Sequence, residues 1–369
     1  MSVYSHPPGS LYAYQPSQAL PIILAVITLI LYTALAYQSI IHKWYYFFYL
    51  TTLASVAWLG GFVTRAITTF PIQDPVVYVS LFISQYVLIF MGPPLFAASE
   101  SFILGRLLAY MPYHAPLHPG RTISTFVILN AIVEALAVNG AIRSSSQDTT
   151  DSQRAVGHKL VEASLILQMV IEICFITLVT IFERRGRRAG QFPRNARVLC
   201  RVLYITSLMM MVRCVVRIIE GFQISACPGL AQLWCGAIRR NEWYLWTFEV
   251  ANIELFVAAL ALWHPCRYLP NDQRVYLDPV DHETERMGPG YGKADKRNFF
   301  VTLLDPSGIV GTWRDKDNMD RFWERENPVV GRLVKGRRSE MKLETEMQVG
   351  TDMHGETVVQ VEAEMTTKV

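Results

Sequence analysis

Of 369 residues, 51% are hydrophobic and only 18% charged, against roughly 25% charge in ordinary soluble domains. The charge is also split, because residues 1–266 hold 18 Lys and Arg against 12 Asp and Glu, and residues 267–369 hold 16 against 19. A soluble all-helical chain is excluded by its three longest apolar runs, which have no polar face at helical spacing.

The first 18 residues carry no charge and read as an extracellular N-terminal segment. They lack the basic n-region of a cleavable signal, and the apolar run that follows is too long for one. Runs at 19–41, 44–64 and 75–99 are uncharged throughout, and each exceeds the roughly 18 to 20 residues a membrane helix needs. Four weaker runs follow at 122–142, 160–182, 198–219 and 243–263, each interrupted by ionisable residues. The expected fold is therefore an all-α polytopic membrane protein, a bundle of seven transmembrane helices over 19–266.

The turn after the fifth span contains Arg184, Arg185, Arg187, Arg188, Arg194 and Arg197 against a single Glu183. Short basic loops stay on the cytoplasmic side, which places the N-terminus outside and the C-terminus in the cytoplasm. The same arginines would attract anionic lipid headgroups. Cys227 and Cys235 share the outer loop before the seventh span, where an oxidising side permits a disulfide. Residues 267–369 form a polar cytoplasmic tail that is largely disordered by composition, apart from an apolar patch at 298–313. It contains no nucleotide or metal motif, and neither a nucleic-acid partner, a metal nor another cofactor is expected.

Charges inside a bilayer are expensive and point to function or to a structural pair. On the sixth helix Arg213, Arg217 and Glu220 share a face by their i, i+3 and i+4 spacing. The seventh contributes Glu242, Glu249 and Glu254. Arg213 lies seven residues below Glu220, and Glu249 seven below Glu242, so the two sit level and are expected to pair. A simple pair of this kind predicts that reversing both charges restores what either single reversal loses. Arg65 lies near the same end. Gln85, Glu100, Glu134, Gln168 and Glu172 continue a polar seam through helices three to five, and a Gly92-Pro93-Pro94 break interrupts helix three. The seam suits an amphipathic ligand or a proton-linked path. Equally, its groups could satisfy one another as a static core.

No HExxH, no Gly-x-Ser-x-Gly, no aspartate pair on neighbouring helices and no lysine in the seventh span is present. A catalytic role is therefore not expected. WLGGFVTRAI, LFISQYVLIFMGPPLFAASESFILGRLL, MVRCVVRIIEGFQ and NEWYLWTFEVANIELFVAALALWHPCRYLP, in this order, resemble the fungal RTA1-like family, also called lipid-translocating exporters. The resemblance covers roughly residues 10–270. It implies seven spans, and export or flipping of amphipathic lipids such as sphingoid long-chain bases. Resistance to toxic amphiphiles and a plasma-membrane or other fungal-membrane location follow with it. Arg65, Gln85, Pro93, Arg106, Gln168, Arg217, Glu220, Glu242, Glu249 and His264 match positions the family usually keeps. Asn130, Ala137 and Ser101 depart from its pattern, which leaves Glu134 as the acid of helix four. Glu249, with Glu134 and Glu254, is the expected partner of a lipid amine, and Arg65 and Arg217 order the outer end. The alternative is a seven-helix lipid receptor or sensor that regulates other transporters.

Overall fold

The computed structural model describes residues 12, 14–70, 74–117, 119–145, 150–190, 192–225, 237–290, 323 and 328–332. Cys227, Cys235 and the 298–313 patch lie outside these residues. Six long helices come first: α1 (Ala19–Ile41), α2 (Tyr45–Thr68), α3 (Pro75–Tyr110), α4 (Pro119–Ser145), α5 (Asp151–Arg188) and α6 (Arg194–Ser225). A seventh span, Glu242–Arg267, follows. Among the described residues these seven are long and apolar enough to cross a membrane. Their outward faces expose Ile22, Val26 and Ile30 on α1, Val56 and Val63 on α2, Leu208 and Val215 on α6, and Leu255 on the seventh span. In water so continuous an apolar belt would be a severe aggregation liability, whereas in hydrocarbon it is the solvated surface. The chain is an integral, multi-pass, all-α membrane protein.

Each helix packs on its neighbours in sequence, and α1 packs on the seventh span to close the ring. The helices overrun the apolar windows because charged ends such as Arg184–Arg188 continue the helical backbone beyond the hydrocarbon. At 36 residues α3 is about 54 Å long, against a hydrocarbon layer of about 30 Å. Asp74 caps it, accepting from Val76 N at 2.9 Å, and Pro75 stands at its first position, where no donor is lost. The helix continues through Pro93 and Pro94, where the sequence suggested a break. From Phe96 to Tyr110 every residue is buried, with α3 packed against α2, α4, α5 and α6 and Gly105 in close contact with Ile123 of α4. Glu100 ties it to α6, accepting from Thr206 Oγ1 at 2.5 Å and from Ser207 Oγ at 2.8 Å.

Two glycines set the α4–α5 distance. A Cβ on Gly140 would lie 2.7 Å from the Gly157 carbonyl oxygen, and one on Gly157 would lie 2.9 Å from the Gly140 oxygen. Close backbone approach through small residues is how helices associate where lipid removes the hydrophobic drive.

At the far end of the seventh span His264 is buried, with Nδ1 accepting from Cys266 N at 3.2 Å and Nε2 3.0 Å from Ser39 Oγ. Because Nδ1 accepts, the proton sits on Nε2 and goes to Ser39, whose own hydroxyl donates to Leu35 O. His264 is thus a clasp between α1 and the seventh span.

The following residues depart from the expected disorder at 267–290. Strands β1 (Val275–Leu277), β2 (Thr284–Met287) and β3 (Val329–Arg332) form an antiparallel sheet in that order. It docks on the end of α3. Arg106 Nη2 donates to Pro270 O at 2.6 Å and to Asn271 O and Asp272 O at 3.3 Å, and its guanidinium lies over Trp44. Tyr110 donates to Glu285 at 3.0 Å. Charged hydrogen bonds of this kind contribute about 1.5–3 kcal/mol each. Arg106→Met is therefore expected to leave the bundle folded while hydrogen exchange accelerates across residues 274–288. Unchanged protection there would show that the sheet is held otherwise.

Candidate functional site

The charged residues of the sixth and seventh spans gather at the end of the bundle opposite the α5–α6 turn. Glu249 is at the centre, with each carboxylate oxygen taken by a different arginine. Arg213 Nε donates to Oε1 at 2.7 Å and Arg217 Nε donates to Oε2 at 2.7 Å. Arg217 Nη1 also donates to Glu220 Oε2 at 2.8 Å. The pair expected from matched depth is present, but as part of a triad. Arg217 joins because it stands one turn from Arg213 on the same face. Glu249 lies in a π-helical stretch, Leu245–Ala251, and such stretches recur at functional sites. Both guanidiniums also lie over the Phe90 ring, at 5.7 and 5.6 Å.

Nearer the surface Arg65 Nη2 donates to Glu242 Oε1 at 2.9 Å and to Tyr14 OH at 2.7 Å. Its guanidinium is ringed by Tyr12, Tyr14 and Trp246, with centroids 5.0 to 5.9 Å away. Glu242 receives the Ser17 amide on both oxygens, at 3.2 and 3.0 Å. Tyr12 inserts beside them and donates to Gln85 Oε1 at 2.9 Å, with Thr68 Oγ1 at 2.6 Å. Tyr12, Tyr14 and Ser17 therefore form a strap across the bundle mouth. Burial pushes the Tyr12 and Tyr14 hydroxyls above the ordinary phenol pKa, and Arg65 opposes this only in part. Both stay protonated at neutral pH and act as neutral hydrogen-bonding groups.

Beneath the strap lies a partly open cleft of about 90 Å³, room for a headgroup-sized moiety and smaller than the roughly 300–1,000 Å³ of pockets that enclose a whole drug-sized ligand. Tyr12, Phe82, Tyr86 and Tyr244 give it aromatic walls, and Arg65, Arg217, Glu220 and Glu249 give it charge. Three arginines (65, 213, 217) match three carboxylates (220, 242, 249) in the surrounding ion pairs. Among the described residues these ion pairs thus balance, which lowers the cost of holding them in a membrane. Glu220 differs from the other two acids: Oε1 has no hydrogen-bond partner among the described residues, and the residue lines the cleft.

The structure brings Arg65, Gln85, Arg217, Glu220 and Glu249 to the cleft, with Arg213 and Glu242 directly behind. The other expected residues lie elsewhere. Glu254 faces α1 and α2, where Oε1 accepts from Trp58 Nε1 at 3.1 Å and also from the Thr28 hydroxyl. Glu134 and Gln168 sit in a deeper layer between α4, α5 and α6. The sequence pointed to Glu249 as the carboxylate offered to a ligand; it lines the cleft with each oxygen already accepting from an arginine, whereas Glu220 Oε1 accepts from none among the described residues. Tyr12, Tyr14, Tyr86 and Tyr244 were missed. The available signal for the first two was a cluster of tyrosines in an otherwise uncharged segment, since such rings favour the membrane–water boundary.

The family profile described as RTA1 like protein matches residues 51–272. The chain is 29% identical over 310 residues to the Lipid-translocating exporter-like protein RTA1 of Leptosphaeria maculans, covering 78% of this chain and 57% of that relative. It is 25% identical over 250 residues to a protein of the same name from Ajellomyces capsulatus, covering 64% and 75%. Protein RTM1 of Saccharomyces cerevisiae is 23% identical over 204 residues, covering 54% and 60%. The chain thus spans little more than half the length of the first of these relatives. No solved structure matches it significantly. The matched region takes in α3, the Arg217–Glu220 turn and Glu249, though not the strap residues Tyr12 and Tyr14, and the chain belongs to the RTA1-like family.

Proposed function

We propose that the protein binds amphipathic lipids carrying an amine, sphingoid long-chain bases among them, in the cleft at the strapped end of the bundle, and moves them across or out of the membrane. The observation carrying this reading is a cleft lined by Glu220, whose Oε1 has no hydrogen-bond partner among the described residues, and by aromatic rings, inside a lipid-facing bundle. The amine would meet Glu220 and the tyrosine hydroxyls while the alkyl chain leaves between helices into lipid. Two relatives bear the name lipid-translocating exporter-like, in accord with this chemistry.

The strapped end is proposed to face outside and the α5–α6 turn the cytoplasm, because six arginines crowd that turn. A plasma-membrane location fits export to the outside. Arg187 is engaged by Glu183 at 2.5 Å, whereas Arg184, Arg185, Arg188 and Arg194 are exposed and would meet anionic headgroups.

The test is leaflet-to-leaflet movement of a labelled long-chain base in liposomes holding the purified protein. Wild type is expected to accelerate movement, and Glu220→Gln to reduce it by about tenfold, the effect of losing one charged contact worth about 1.4 kcal/mol. Saturable binding without movement would favour a lipid sensor. Movement unaffected by Glu220→Gln would remove the cleft from the account.

A further inference from the structure

Behind the ion-pair triad, α4, α5 and α6 enclose a layer of polar groups that the cleft does not use. Both oxygens of Glu134 are buried with no hydrogen-bond partner among the described residues, and the same holds for Asn130 Oδ1, Gln168 Nε2 and Arg213 Nη2. Arg213, Gln168 and Asn130 are 0%, 1% and 5% exposed. Two unused donors and two kinds of unused acceptor in one layer leave groups that cost about 1–3 kcal/mol apiece unless something meets them. Arg213 connects this layer to the cleft, because its Nε holds Glu249, its Nη1 reaches Gln168 Oε1 at 3.5 Å, and its Nη2 is unused. Glu134 lies within electrostatic reach of Arg213 without an ion pair to it.

We propose that this layer is a hydrated proton-exchange site in which Glu134 competes with Glu249 for Arg213 and thereby controls the cleft. The site takes water and a proton. When Glu134 is protonated, Arg213 stays on Glu249 and both oxygens of that acid are closed to a ligand. When Glu134 releases its proton to the enclosed water, the new carboxylate draws Arg213 toward it and frees Glu249 Oε1. A cationic lipid amine can then take the vacated oxygen. The O–H bond of Glu134 breaks and a new O–H forms on the accepting water, which passes the proton on to bulk solvent. The other ionisable groups in and around the layer are Glu172 of α5, Glu100 and Tyr86 of α3, and Cys214 and Arg217 of α6. Each acts on Arg213, on Arg217 or on one another, and Glu134 is the acid set against Arg213 from α4.

Release of one proton on binding makes a cation bind more tightly as pH rises, by up to about tenfold per pH unit through the transition. The part of the proposal that concerns Glu249 rests on the amine-binding reading above. The probe is a fluorescent long-chain quaternary ammonium amphiphile, whose own charge does not titrate, bound to nanodisc-held protein from about pH 5 to 9. Wild type and Glu134→Asp are expected to show the pH slope, and Glu134→Gln a flat profile. A wild-type slope retained in Glu134→Gln overturns the proposal. A second arm records the protonated-carboxyl infrared band over the same pH range without any ligand. Loss of a titrating band in Glu134→Gln supports the site, and an unchanged spectrum overturns it. If the amphiphile binds wild type at no pH, the cleft reading fails and the infrared arm decides the proton site alone.

Discussion

Glu249→Gln is expected to destabilise the bundle by about 3–5 kcal/mol, the range found when one partner of a buried ion pair is removed. The amide would leave Arg213, fully buried, and Arg217 without the carboxylate that now takes both Nε donors. Arg217 retains Glu220, whereas Arg213 keeps no carboxylate partner, only the long contact to Gln168 and weaker neighbours such as the Phe90 ring. Arg213→Met should cost less, about 1–3 kcal/mol, because Glu249 keeps Arg217. The order of melting temperatures in detergent, wild type above Arg213→Met above Glu249→Gln, checks this. A charge swap that places Glu at 213 and Arg at 249 is not expected to restore stability, since the new arginine would stand beside Arg217. A simple pair predicts the opposite result, so the swap separates pair from triad.

The second large effect concerns backbone approach. Gly140→Ala and Gly157→Ala are each expected to cost about 1–3 kcal/mol, since the added methyl meets main-chain atoms at 2.7 to 2.9 Å. No rotamer change relieves a clash with a carbonyl oxygen, so α4 and α5 must move apart. That shift would disturb Glu134 and Gln168, which these two helices carry. Gly60→Ala is the control, because its methyl meets only the end of the Leu88 side chain, at 3.4 Å. It should be neutral or slightly stabilising through helix propensity. Equal melting temperatures for all three variants would contradict the packing described.

The spans were legible because hydrocarbon demands long apolar runs, a constraint strong enough to survive charges at 134, 172 and 249. Helix ends were not, because hydropathy falls at Arg184–Arg188 while the backbone stays helical. Depth alone identified Arg213 and Glu249 as level. It could not identify Arg217 as a second ligand of the same carboxylate, since both arginines share one face and the π-helical turn alters the seventh span's register locally. The strap was hidden because Tyr14 and Tyr12 find Arg65 and Gln85 51 and 73 residues away. Arg106 was marked by resemblance, but its partners are carbonyl oxygens, which no charge pattern reveals. The sheet was missed because a polar composition reads as disorder, although Val275, Tyr276 and Leu277 form a short buried strand within it.

The central claim is that the cleft is where an amphipathic amine binds, and covalent capture tests it most directly. A photoactivatable long-chain amine, irradiated with the protein in nanodiscs and mapped by mass spectrometry, is expected to label peptides bearing Tyr86, Val216 and Tyr244. Unlabelled long-chain base should abolish that labelling, and Glu220→Gln should weaken it. Labelling spread over the outward faces at Ile22, Val56 and Leu208, undiminished by competitor, would contradict the account.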